Sequence, residues 1–139
     1  MPSQLKLDFP WLDVGKVAMA YEEGRGIEGE FIQSWAEMEI FFANTDVADI
    51  ALPFIREIRQ HGYDKTLRAG QSMWTLVLSR SRRHGLRGNQ PLVAFSFSKD
   101  GTMNVRATLW QKSELINLTP RLDSNVEQLL QSLQSNAIE

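Results

Sequence analysis

The stretch Leu92-Val93-Ala94-Phe95-Ser96-Phe97-Ser98-Lys99-Asp100-Gly101-Thr102-Met103-Asn104-Val105-Arg106-Ala107-Thr108-Leu109 contains two period-two runs on either side of a turn. Val93, Phe95 and Phe97 alternate with small or polar residues before Lys99-Asp100-Gly101, and Met103, Val105, Ala107 and Leu109 alternate after it. Such alternation marks strands with one buried face, so the segment is a hairpin. Its register follows from burial. A two-residue Asp-Gly turn would pair Ser98 with Met103 and scatter apolar groups over both faces. A three-residue turn with Gly101 left-handed pairs Phe97 with Met103, Phe95 with Val105 and Val93 with Ala107, which puts all the large apolar groups on one face. The sequence therefore predicts the three-residue turn. The opposite face carries Ala94, Ser96, Ser98, Asn104, Arg106, Thr108 and Trp110.

The neighbouring segments extend this sheet. Trp74, Leu76 and Leu78 alternate with Met73, Thr75 and Val77 as a further strand, joined to the hairpin by a long polar connection over residues 80–90. Leu115 to Leu118 is a last short strand, ended by Thr119-Pro120. Ser124-Asn125-Val126-Glu127 reads as a capping box. It opens a helix whose stripe is Val126, Leu129, Leu130 and Leu133.

Upstream of the strands, Val47, Ile50, Ala51, Phe54, Ile55 and Ile58 form one apolar stripe at helical spacing. Asn44-Thr45-Asp46 supplies cap residues, Asp49 and Arg59 suit the helix dipole, and Gly62 fits the left-handed position after the last turn. Pro53 predicts a kink in this helix. Residues 31–42 fit two periods. Ile32, Ala36, Met38, Ile40 and Phe42 alternate as in a strand, while Phe31, Trp35, Met38 and Phe42 share a helical face. A strand over 35–42 is expected, because a helix start follows at once. Nearer the N-terminus, Leu5, Leu7 and Phe9 suggest an edge strand, Asp13 a cap for a helix over 14–23, and Gly24-Arg25-Gly26-Ile27-Glu28-Gly29 a flexible connection.

The expected fold class is α+β, an antiparallel-rich sheet with helices packed on one face. The 139 residues and 15.9 kDa suit one domain over 1–139. Within it, 1–30 form a helix and loop region, 31–134 the α+β core and 135–139 a frayed tail. The chain has no cysteine, which excludes disulfides, thiolate metal sites and a cysteine nucleophile. Two histidines argue against a histidine-rich metal site, so no metal and no cofactor is expected. No apolar run reaches the roughly 20 residues needed to span a bilayer, and no signal peptide is evident. A cytoplasmic protein without a membrane partner is the expectation.

Charge is the informative quantity. The net charge is −2, but residues 1–64 hold 5 Lys/Arg against 12 Asp/Glu (−7), residues 65–112 hold 9 against 1 (+8), and residues 113–139 hold 1 against 4 (−3). Arg80, Arg82, Arg83, His84 and Arg87 crowd the connection between two strands, with Arg68, Arg106 and Trp110 as neighbours on the sheet. Guanidinium groups make paired hydrogen bonds to phosphate or carboxylate oxygens, and an exposed aromatic ring can stack on a base. The sequence thus points to a non-catalytic binding domain for an anionic macromolecule, either nucleic acid or an acidic protein surface. The plain alternative is a solvated loop whose arginines pair with the acids of the first half. A rival function is an assembly factor, possibly homodimeric, that uses the outer sheet face around Trp110. A weaker third is a small nuclease centred on His84, with Arg83 and Glu37 or Glu39. Gly24 to Gly29 matches a dinucleotide-binding fingerprint by letters only, since that motif needs a strand before it and a helix opening on it. The paired carboxylates Asp46/Asp49 and Glu37/Glu39 lack the further oxygen ligands that a metal site requires.

Overall fold

Two helix-forming segments, a run of strands and a last helix follow one another along the chain, and the physical reasons for each are local. The computed structural model describes residues 14–82, 90–109 and 112–138, with side chains in the first helix described from residue 27. The expected edge strand at Leu5, Leu7 and Phe9 and the Asp13 cap lie outside the described residues. The chain divides into two compact units, Met1–Glu30 and Phe31–Glu139. In the first, the described residues are helical. The second holds the sheet.

Helix α1 spans Val14–Ala43. Two expectations are corrected here. Gly24 to Gly29 is helical rather than a flexible connection, and residues 35–42 are helix rather than strand. The helical set decides the second point: Phe31, Trp35 and Phe42 are fully buried, whereas Ile40, which the strand pattern would bury, is 68% exposed. Burial of three aromatic side chains outweighs the β-like alternation of smaller residues. Asn44 Nδ2 bonds Ile40 O, and Thr45 Oγ1 donates to Phe42 O and accepts from Val47 N, so these two residues close α1 and start the next helix.

Helix α2 spans Ala48–Gln60, and its stripe is as expected: Val47, Ala51, Phe54, Ile55 and Ile58 are buried. Asp49 stands in its first turn and Arg59 in its last. Pro53 lies within the helix on an exposed position. Its missing N–H therefore faces away from the core. Gly62 has φ 85° and turns the chain into a short 3-10 helix, Tyr63–Lys65.

Five antiparallel strands follow in the order β1-β2-β3-β4-β5. They are β1 Arg68–Ser72, β2 Thr75–Ser79, β3 Leu92–Phe97, β4 Met103–Thr108 and β5 Lys112–Leu118. The hairpin register is the expected one, with Phe97 opposite Met103, Phe95 opposite Val105 and Val93 opposite Ala107. Ser98 N donates to Thr102 O and Gly101 has φ 94°, which is the three-residue turn. β1 was not foreseen, and Met73 and Trp74 form the loop between β1 and β2 rather than part of a strand. A bulge between Met103 and Val105 interrupts the β4–β5 ladder, and there Asn117, at φ 57°, donates its N–H to Asn104 Oδ1.

Helix α3 spans Ser124–Gln134. Its N-cap is Asp123, one residue earlier than the expected capping box, and the Asp123 carboxylate accepts from Val126 N at 2.9 Å. Glu127 instead accepts from Tyr63 Oη. The start of the expected frayed tail is held: Asn136 Nδ2 bonds Ser132 O and its carbonyl accepts from Arg80.

One face of the sheet carries Ala69, Leu76, Leu78, Val93, Phe95, Phe97, Met103, Val105 and Ala107, all buried against Trp35 and Phe42 of α1, the α2 stripe, and Val126, Leu130 and Leu133 of α3. Phe54 meets Phe95 and Phe97 edge-on at 5.0 and 6.0 Å between ring centres. The fold is α+β with its helices on one sheet face. Among the described residues, no helix is long and apolar enough to cross a membrane.

Candidate functional site

Because side chains alternate along a strand, burial of Leu76 and Leu78 turns Thr75, Val77 and Ser79 to the other face. Pairing then builds cross-strand rows. One row runs Arg68–Ser79–Leu92–Thr108–Lys112, and the row beside it runs Gly70–Val77–Ala94–Arg106–Glu114. Arg68, Arg106 and Lys112 thus share the outer face near the end of the sheet where β2 enters the 80–90 connection.

Two arginines fasten that exit. Arg68 is buried over the Phe31 ring and donates from Nε to Ser81 O at 2.8 Å and from Nη2 to Arg82 O at 2.6 Å. Arg80 donates from Nε to Asn136 O at 2.8 Å and from Nη1 to Thr66 O at 2.6 Å. Burial lowers the Arg80 pKa from the ordinary arginine value, although arginine stays charged at any physiological pH. Carbonyl dipoles satisfy the Arg80 guanidinium without cancelling its charge.

Arg82 is the first exposed side chain beyond this clamp. Arg106 is also exposed, and among the described residues neither it nor Arg82 has an ion-pair partner, although Glu114 faces Arg106 across the β4–β5 ladder. Arg83, His84, Arg87 and Trp110 lie outside the described residues. Of the candidate set, the structure therefore brings Arg80 and Arg82 to one exit and Arg106 to the adjoining face. Lys112 was not singled out in the sequence; the β4–β5 register is the signal that would have found it.

Several acids of the first half are engaged near α2. Glu39 bonds Arg56 at 3.0 Å and also holds Arg59, which reaches Asp64 at 3.2 Å. Burial works against the Arg59 charge, but the bonds to Glu39 and Asp64 prevail and raise its pKa. Asp46 pairs with Lys99, both exposed, at 3.3 Å. Glu39 thus serves two α2 arginines, and Glu37 sits on the exposed side of α1, accepting from Gln33. Among the described residues there is no group of three or more His, Cys, Asp or Glu able to hold a metal ion. The helical course of 24–29 also removes the strand-then-helix setting that a dinucleotide fingerprint needs.

No protein-family model matches the chain, and comparison with curated proteins and with solved structures likewise finds no match. Function is accordingly read from the surface itself.

Proposed function

We propose that the protein is a non-catalytic binding domain that holds an anionic macromolecule at the exit of β2 and on the adjoining outer sheet face. One observation supports this above the others. Arg82 and Arg106 are exposed without ion-pair partners among the described residues, while Glu39 and Asp64 are taken up by arginines of α2. Arg80, behind them, adds a positive charge balanced only by carbonyl dipoles. Lys112 lies in the adjacent row, and Arg83, His84 and Arg87 follow Arg82 in sequence. Multiple arginines gripping phosphates displace counterions, so binding weakens steeply with salt.

The test is fluorescence polarisation with labelled single-stranded and double-stranded RNA and DNA, at low and at physiological salt. The control replaces Arg82, Arg83 and Arg87 together by Ala. Binding that is lost in the control and reduced by salt is expected. Absence of binding at low salt, or equal binding by the control, contradicts the nucleic-acid form of the proposal. Binding of poly-glutamate alone would assign the same surface to an acidic protein.

A further inference from the structure

We propose that β5 pairs antiparallel with the β5 of a second copy of this chain, about a two-fold axis at Ser113. The inference goes beyond anion binding and does not depend on it. β5 is the last strand of the sheet and, at seven residues, its longest. On its β4 side its backbone is used by the ladder and by the Asn117 bond to Asn104. On the other side, no described residue of β5 has a hydrogen-bond partner in the chain. An edge strand of this kind is a template for another strand. The opposite edge is treated differently. There the Ala69 N–H of β1 bonds Ser34 Oγ at 2.9 Å, and Trp35 Nε1 bonds Leu67 O beside it at 2.8 Å.

The sequence of β5 selects the partner and the register. An antiparallel pair of identical strands has its two-fold axis normal to the sheet, so outer-face residues meet outer-face residues. Lys112, Glu114 and Ile116 are all exposed and alternate on that face. An axis at Glu114 would set Glu114 against itself. An axis at Leu115 would set Glu114 against Ile116 and Lys112 against Leu118. An axis at Ser113 sets Lys112 against Glu114 of the other copy, and Glu114 against its Lys112, giving two opposite-charge pairs from one strand. By count alone, the next pair is Ile116, 62% exposed, with position 110, a tryptophan in the sequence that lies outside the described residues. A strand whose charges only guard its edge has no need of this self-complementarity, and it would leave the protein monomeric.

The experiment uses the full chain, with sedimentation velocity over a concentration series and circular dichroism to check the fold of each variant. Lys112→Glu and Glu114→Lys should each weaken the dimer by roughly tenfold, and the double reversal should restore it. Register is read independently. The chain has no cysteine, so Ser113→Cys introduces a single thiol. Mild oxidation should link Ser113→Cys to its counterpart and leave Ile116→Cys unlinked, because the two copies of residue 116 would stand roughly 20 Å apart along the strands. A monomer at every concentration, a dimer indifferent to both reversals, or equal crosslinking at 113 and 116 would overturn the proposal.

Discussion

Met73 occupies the first position of the two-residue loop between β1 and β2 with φ 56°, and its side chain is 82% exposed. Hairpin loops of this length normally place glycine there, since a side chain at positive φ costs about 1–2 kcal/mol. Met73→Gly should therefore raise stability by about 1 kcal/mol, read as an increase in Tm of several degrees; an unchanged or lower Tm would show that the methionine side chain contributes contacts that offset the strain. Gly101 is the converse case. At φ 94°, Gly101→Val should cost about 1–3 kcal/mol, because a β-branched residue tolerates that backbone poorly. Next to it, Asp100 accepts from Thr102 Oγ1 at 2.7 Å and from Thr102 N at 3.0 Å, and these bonds lower its pKa. A carboxylate whose folded pKa is depressed stabilises the fold above its unfolded pKa and loses that contribution as pH falls through the folded value. The stability gap between the natural chain and Asp100→Ala should thus close on acidification. Gly101 and the hairpin were legible in sequence, since only one turn buries every large apolar group. The strain at Met73 was not, because it arises from β1, which has no apolar alternation to announce it.

Helix α1 shows why some elements escape a reading by periodicity. Residues 31–42 satisfy both periods, and a helix start at 44–46 favours a strand before it. Trp35 decides the matter through contacts distant in sequence: its ring is fully buried and its Nε1 bonds Leu67 O, 32 residues away. Ser34, beside it, accepts from Ala69 N. Ser34→Ala should cost about 1–3 kcal/mol by leaving that buried N–H unpaired, as measured by chemical denaturation. An effect below about 0.5 kcal/mol would mean that water replaces the hydroxyl. Leu130 of α3 is completely buried, so Leu130→Ala should cost about 2–5 kcal/mol in the same assay. A near-neutral result would mean that α3 contributes little to the core. The α2 and α3 stripes were legible because amphipathic spacing alone defines them. The N-cap of α3 was misplaced by one residue because Asp123 and Ser124 are both competent caps, and only backbone geometry separates them.

At the scale of the molecule, the charge split in the sequence left open whether acids and arginines interleave. In the described structure, Glu39 and Asp64 are engaged with Arg56 and Arg59, and Asp46 reaches across to Lys99. Exposure of Arg106 followed from the hairpin register. The fixed position of Arg80 did not, since its carbonyl partners at Thr66 and Asn136 lie 14 and 56 residues away and carry no local signature. Polyanion binding at the β2 exit is the central claim, and the salt dependence of affinity tests it most directly. Plotted as log affinity against log salt concentration, binding of single-stranded nucleic acid by the natural chain should fall linearly. The paired change Arg82→Ala and Arg106→Ala, both at exposed positions, should leave the fold intact and make the slope shallower by about two, roughly one per lost phosphate contact. An affinity that does not change with salt, or a slope unaltered by the paired change, would contradict the account.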